Sequence, residues 1–443
     1  MRFGDIRMIG HHRLARLLSP LVRRGDLTVD VPGWPTMTVG DGSAPHVAVR
    51  FTDRRAVLGL LVDPELRFGE LYMEGRLVVE RGTFLDLIQI LLQDSAGARP
   101  LMPGRVAHAL RGLLAPFLAS NPAGRSRRNV AHHYDLDGRL YDLFLDADKQ
   151  YSCAYFETPD ATLEQAQLAK KRHIAAKLMV RPGDRVLDIG SGWGGLALYL
   201  AEIARAGEVT GVTLSQEQLA ASRQRSLDHG LADRVRFEMR DYRKMDGRFD
   251  RIVSVGMFEH VGIRDYPAYF DTARRLLDDD GVMLLHSIGR TGEPDFTNPW
   301  ITKYIFPGGH LPTLSEIVPP LEHAGLVVTD IEVLRLHYAE TLKAWRERFL
   351  ARRAEAVALY DERFCRMWEA YLTMSEAAFR WEDVVVFQIQ ITKKNNVLPL
   401  TRDYIGQAET RLRQAEAAAR AAANACNDAG SRQDSIDRQG AAE

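Results

Sequence analysis

The stretch Val186–Gly195, VLDIGSGWGG, limits the architecture more than any other part of the chain. It begins as an apolar strand (Arg185–Ile189), turns on glycine, and runs into the helical spacing of Leu196–Ala206. Gly190 and Gly192 let a backbone turn tightly behind a strand and pass close to a ligand, where a side chain would collide. Glu208–Thr213, Val235–Met239, Phe249–Val255 and Val282–Ile288 read as further buried strands, with helical stretches at Tyr266–Leu277 and Leu314–Ala324. Ser215 opens another helix as an N-cap, with Glu217 and Gln218 close behind. This alternation predicts an α/β fold built on a mostly parallel sheet covered on both faces. Val384–Thr392 reads as a late antiparallel strand at the sheet's end, and Tyr338–Arg380 as a helical insertion placed to cap a ligand site.

The chain has 443 residues, 46% hydrophobic and 26% charged, enough for two or three well-filled domains. Residues 1–118 start basic and continue with short strands such as His46–Phe51 and a helix at Thr83–Gln93; they read as a small α+β domain. Residues 119–131 read as a linker rich in Asn, Pro, Gly, Ser and Arg, 132–394 as the main domain, and 395–443 as a helix fraying near Asn424 into a disordered tail. A net charge of −1 argues against wholesale nucleic-acid binding. Three cysteines (Cys153, Cys365, Cys426) make no disulfide framework and fit a reducing, cytoplasmic setting. No apolar run approaches the ~18 residues needed to span a bilayer, and the N-terminus lacks a secretory apolar core. No metal-ligand pattern stands out.

Gly190, Gly192 and Gly195 also satisfy the dinucleotide spacing G-x-G-x-x-G, so the turn alone leaves two cofactors open. Two features favour S-adenosylmethionine. Asp188 places a carboxylate where it can meet an ammonium group, and the end of the second strand carries Thr213 rather than the acid a nicotinamide ribose would want.

Eight segments in order then resemble the cyclopropane-fatty-acid synthase family, including the mycolic acid cyclopropane synthases. They are HYDL (His133–Leu136), LDADKQYSCAYF (Leu145–Phe156), the glycine turn, VTLSQEQ (Val212–Gln218), FDRIVSVGMFEHVG (Phe249–Gly262), LLHSIG (Leu284–Gly289), YIFPGGHLP (Tyr304–Pro312) and HYAETLKAW (His337–Trp345). GELYMEGRLVV (Gly69–Val79) resembles the N-terminal domain of the longer bacterial members, which the mycobacterial enzymes lack. The resemblance implies a class I Rossmann-like methyltransferase with a seven-stranded sheet. It implies methyl transfer from S-adenosylmethionine to a cis double bond in an acyl chain of a membrane phospholipid, closing a cyclopropane ring with bound bicarbonate as proton acceptor. By motif, the ion's surroundings become Cys153, Glu259, His286 and Tyr338, with the backbone of Ile288. The cofactor contacts become Tyr151, Ser152, Asp188, Gly190, Gly192, Gly194, Thr213, Gln218, Asp241 and Tyr242.

Taken singly these residues have ordinary readings: a buried free cysteine, a helix-start acid at Glu259, a satisfied core histidine at His286. Set in their segments at the sheet's C-terminal edge they read as a site. Two departures stand out. Where the family often carries a cysteine proposed as a nucleophile, YLTMSEAAF has Met374 and Ser375, which favours direct transfer; and Ser191 replaces a common cysteine. A methyltransferase that leaves a methyl or methylene branch without closing the ring is the alternative reading. Peripheral contact with the inner membrane surface is expected from the basic stretch Met1–Arg24 and from Arg125, Arg127 and Arg128, each worth about 1 kcal/mol near anionic headgroups. Met8, Ile9, Leu14, Leu17 and Leu18 form either an interfacial face or a face packed on their own domain. The resemblance implies that the N-terminal domain, residues 1–118, organises a homodimer and helps the enzyme engage lipid.

Overall fold

The computed structural model describes residues 3–94 and 137–440, with side chains from His11 to about Ala422 outside the gap. The HYDL segment, the linker and its three arginines lie outside the described residues, as do the side chains of Met8 and Ile9.

The first part is helix α1 (Phe3–Leu18), β1 (Asp26–Asp30), β2 (Met37–Gly40), β3 (His46–Phe51), α2 (Arg54–Val62), α3 (Pro64–Met73), β4 (Leu77–Arg81) and α4 (Phe84–Leu92). Its sheet has the order β2-β1-β3-β4, with β1 and β3 parallel and both outer pairings antiparallel. The alternating burial of β1 and β3 puts one face on a core and the other outward. Helix α4 starts at a reciprocal Thr83–Asp86 capping box. Leu14 and Leu18 of α1 are buried and Leu17 is partly so, while Arg13, Arg16, Arg23 and Arg24 are exposed. The described apolar face of α1 therefore packs on its own domain and leaves a basic exterior.

After α5 (Gly138–Tyr141) and α6 (Leu163–Leu178) comes the larger unit. It runs β5 (Arg185–Ile189), α7 (Gly195–Glu202), β6 (Glu208–Thr213), α8 (Gln216–Asp228), β7 (Val235–Met239), β8 (Phe249–Val255), α9 (Tyr266–Leu276) and β9 (Leu277–Arg290). It continues through α10 (Pro299–Tyr304), α11 (Leu314–His323), β10 (Val327–Leu334), α12 (His337–Ala351), α13 (Arg353–Leu359), α14 (Glu362–Trp381), β11 (Val384–Thr392) and α15 (Asp403–Gly440). The seven strands are ordered β10-β11-β9-β8-β5-β6-β7, and only the pairings of β11 are antiparallel. The expected α/β class and seven-stranded sheet are present, with one correction. Strand β11 is not at the sheet's end but lies between β9 and β10, buried along its whole length. Its outer neighbour β10 is half-exposed and lacks the unbroken apolar run of an inner strand.

The tail also differs from expectation. Helix α15 runs on to Gly440, past the expected fraying point. Its first turns are docked: Ile405 and Ala408 are buried in a cluster with Ala176 of α6. Arg172 is held by both Glu157 and Glu416, and Tyr199 donates to Glu416 at 2.6 Å. His173 sits between Glu332 and Glu409, 2.7 Å from each. With the Arg172 and Glu416 side chains only 7% and 10% exposed, Glu416→Ala leaves a buried cation short of a partner. It is expected to cost about 3 kcal/mol of stability in urea unfolding; an unchanged midpoint would show that α15 is not part of the fold's support.

Candidate active site

The glycine turn builds the first pocket. Gly190 has φ +82°, and a Cβ there would stand 2.9 Å from the Met257 side chain, so both backbone and space demand glycine. The pocket is lined by Tyr151, Ser152, Asp188, Gly190, Gly192, Thr213, Gln218, Asp241 and Tyr242, nine of the ten residues expected to meet the cofactor. Gly194 is not on its wall. At φ +84° it caps α7, and a Cβ there would press on Phe237 and Ser222 at 2.8 and 2.9 Å, so its role is conformational. Thr213 Oγ1 donates to Gln218 Oε1 at 3.0 Å, tying the end of β6 to the start of α8. Asp241 accepts from the Arg243 backbone and guanidinium, which overcome the opposing effect of burial and hold its carboxyl below the usual range.

Asp188 is buried with Oδ2 lacking a hydrogen-bond partner, and burial, only partly opposed by the Lys170 ammonium, pushes its pKa up to about 7. A buried carboxylate with an oxygen left without a partner beside a glycine turn fits a cationic ligand group. The sequence reading missed Lys170 and Gln167, both on the inner face of α6. Lys170 Nζ donates to Gln150 Oε1 (2.6 Å) and Ser152 Oγ (2.8 Å), while Gln167 Nε2 donates to the carbonyls of Gln150 and Ser152. These bonds hold the segment carrying Tyr151 and Cys153. The readable signal was the polar stripe Gln167, Lys170, His173, Lys177 at helical spacing.

The second cavity, about 590 Å³ and mainly apolar, holds all five residues expected at the reaction centre: Cys153, Glu259, His286, Ile288 and Tyr338. Glu259 lies in a single 3₁₀ turn just beyond β8. Its Oε1 accepts from the Ile288 backbone N–H at 2.6 Å, and Oε2 is buried without a partner. Burial pushes its pKa up to about 7 despite that bond. The Ile288 amide thus serves Glu259 directly. Burial pushes His286 down to about 3, so the imidazole is neutral. Gln388 Nε2 lies 3.1 Å from its Nδ1, and a bond donated by that amide leaves the ring proton on Nε2. Burial raises the Cys153 thiol, whose Sγ donates to the Ala154 carbonyl at 3.3 Å; it is a neutral thiol, not a poised nucleophile. The Tyr338 ring packs near Trp345 and Phe379, and Tyr151 and Tyr371 share a hydrogen bond of 2.8 Å. Met374 and Ser375 also line the cavity. Tyr151, Ser152, Gly256 and His260 line both pockets, so the polar pocket and the apolar cavity share a wall.

This sheet order, with a donor pocket at the strands' C-terminal edge, defines a class I S-adenosylmethionine-dependent methyltransferase. The mycolic acid cyclopropane synthetase family matches residues 122–389, and the chain belongs to that family. It is similar to the cyclopropane-fatty-acyl-phospholipid synthase of Escherichia coli K12, at 40% identity over 80% of this chain and 89% of that one. It is likewise similar to a probable fatty acid methyltransferase of Pseudomonas putida, at 35% identity over 87% and 98%. Among solved structures, a mycolic acid cyclopropane synthase in complex with SAH and CTAB superposes with a TM-score of 0.57. That chain is 35% identical and covers 61% of this chain and 98% of itself.

A cationic donor group beside Asp188 favours its ionised form, so donor binding and loss of the Asp188 proton are linked. Affinity for S-adenosylmethionine is expected to rise roughly tenfold per unit as pH approaches 7 from below, then level off. Because the folded-state pKa lies above the unfolded one, the native state binds the extra proton, and Asp188 lowers stability as pH rises from about 4 to 7. Asp188→Asn is therefore expected to bind the donor weakly with a flat pH profile, yet melt higher than the parent above pH 7. Calorimetry showing an unchanged pH slope would contradict this placement of the donor's charge.

Proposed function

We propose that this protein transfers the methyl group of S-adenosylmethionine to a cis double bond in an acyl chain of a membrane phospholipid and closes a cyclopropane ring. The observation that carries the reading is the shared wall: a pocket suited to a charged donor abuts an apolar cavity that holds a buried acid, a neutral imidazole and a phenol. The family supplies the chemistry; the residues say how this chain performs it.

An alkene is a weak nucleophile, and its attack on the sulfonium methyl leaves a carbocation. Dry apolar walls keep water from trapping that cation as an alcohol. The faces of Tyr151, Phe306, Tyr338 and Tyr371 around the cavity add cation–π attraction, ~0.5–2 kcal/mol each where desolvated. Ring closure needs one proton removed from the added methyl. Cys153, Glu259, His286 and Tyr338 would hold bicarbonate, which supplies a base of suitable strength when bound. The donor set suits such an ion: the orphaned Glu259 oxygen and a pKa near 7 let the acid carry a proton where two bare anions would repel. His286 and Tyr338 would donate hydrogen bonds to it, and the Ile288 amide fixes the Glu259 carboxyl. Approach to the membrane would be peripheral, through the exposed arginines near α1; among the described residues no helix is long and apolar enough to cross one.

Wild-type protein incubated with unsaturated phospholipid vesicles and labelled S-adenosylmethionine is expected to yield fatty acids heavier by one CH₂ and resistant to hydrogenation. A methyl- or methylene-branched product would instead establish the alternative reaction. Glu259→Gln is expected to reduce turnover on the order of 100-fold or more while donor affinity, measured by calorimetry, stays within about twofold. Wild-type turnover in that variant would remove Glu259 from the chemistry.

A further inference from the structure

The cavity that holds Glu259 does not end within the family-matched residues. It continues into the first sheet unit, whose Leu14, Leu18, Val29, Phe51, Leu87 and Ile88 line the same space. The family model matches from residue 122, so this stretch of wall is built from residues outside that match. The two units are locked together where the cavity crosses between them. Gly69 lies against the Trp300 ring so closely that a Cβ would stand 2.7 Å from it. Glu70, nearly fully buried, accepts from Lys303 at 2.7 Å and Tyr304 at 2.9 Å across the junction and from Arg67 on its own helix. A buried carboxylate with three donors, held beside a tryptophan that only glycine accommodates, gives this junction a defined geometry.

The lining of the cavity is uneven in chemistry. Toward the first unit the lining is apolar apart from Arg16 and Glu65. Elsewhere the wall carries Arg290, Asp295, Thr297, Asn298 and Glu382. Arg290 is paired loosely with Asp295 and Asp383 at 3.4 and 3.3 Å, and its Nε–H is buried without an acceptor. Hydrocarbon laid against the first-unit wall meets almost no polar group that it would have to desolvate.

Resting on the proposed reaction at Glu259, we propose that the first unit is the tail pocket of the enzyme. The methyl-terminal segment of the acyl chain beyond the double bond lies among Leu14, Leu18, Leu87 and Ile88. The depth of that pocket then selects how many carbons follow the alkene. Selection of this kind follows from close packing, since one or two methylenes without space cost one to two orders of magnitude in rate.

The test uses the full chain and vesicles of phosphatidylethanolamine and phosphatidylglycerol carrying one defined acyl type. The types are eighteen carbons unsaturated at carbon nine, eighteen unsaturated at carbon eleven, and sixteen unsaturated at carbon nine. The last two share the shorter segment beyond the double bond. Ile88→Phe is expected to lower kcat/KM about tenfold on the first type and to leave the other two within about twofold of wild type. Should that variant melt lower than wild type, Leu91→Phe on the partly exposed part of the same wall carries the same expectation. Equal effects on all three types, no effect on any, or selective loss of the carbon-eleven type overturns the proposal. Wild-type inactivity on every vesicle, with donor binding intact, would overturn the proposed reaction instead.

Discussion

Two environments that ordinarily exclude each other meet across one thin wall in this protein. A donor that carries positive charge needs buried carboxylates and backbone polar groups, whereas an alkene and the cation derived from it need a dry apolar enclosure. Tyr151, Ser152, Gly256 and His260 face both. Much of the surrounding structure keeps that wall in place. From α6, Gln167 holds the Gln150 and Ser152 carbonyls and Lys170 their side chains, and Tyr371 from α14 meets the Tyr151 hydroxyl.

Burial without compensation recurs at the working groups. Asp188 and Glu259 each keep one carboxylate oxygen without a partner, and each is pushed up to about 7. The Arg172–Glu157–Glu416 and Glu70–Arg67–Lys303 clusters instead pair their buried charges within the protein. The contrast sets structural polar groups, with partners inside the protein, apart from those left for a ligand.

Much of this was legible in the sequence because period and glycine chemistry are local. The strands β5, β6, β7 and β8 are short apolar runs, and Ser215 caps α8 as expected. The five residues of the reaction centre came from ordered motifs, and the structure brings them to one cavity although they span Cys153 to Tyr338. What could not be read depended on distant partners. The place of β11 inside the sheet is decided by its pairing with both β9 and β10, and its sequence looks the same at an edge or in the middle. Lys170 reads as a solvent-facing lysine until Gln150 and Ser152 are seen beside it. Helix α15 has a weakly apolar sequence, and its docking rests on ion pairs with residues more than two hundred positions away.

The account stands on the donor's methyl facing the acyl chain through that shared wall. The most direct measurement is a crystal structure with S-adenosylhomocysteine and a long-chain cis-alkenyl amphiphile bound together. The sulfur is predicted to point at the wall formed by Ser152 and Gly256, with the double bond on the far side next to Glu259. A sulfur turned toward solvent, or a chain bound outside the cavity that contains Glu259, would contradict it.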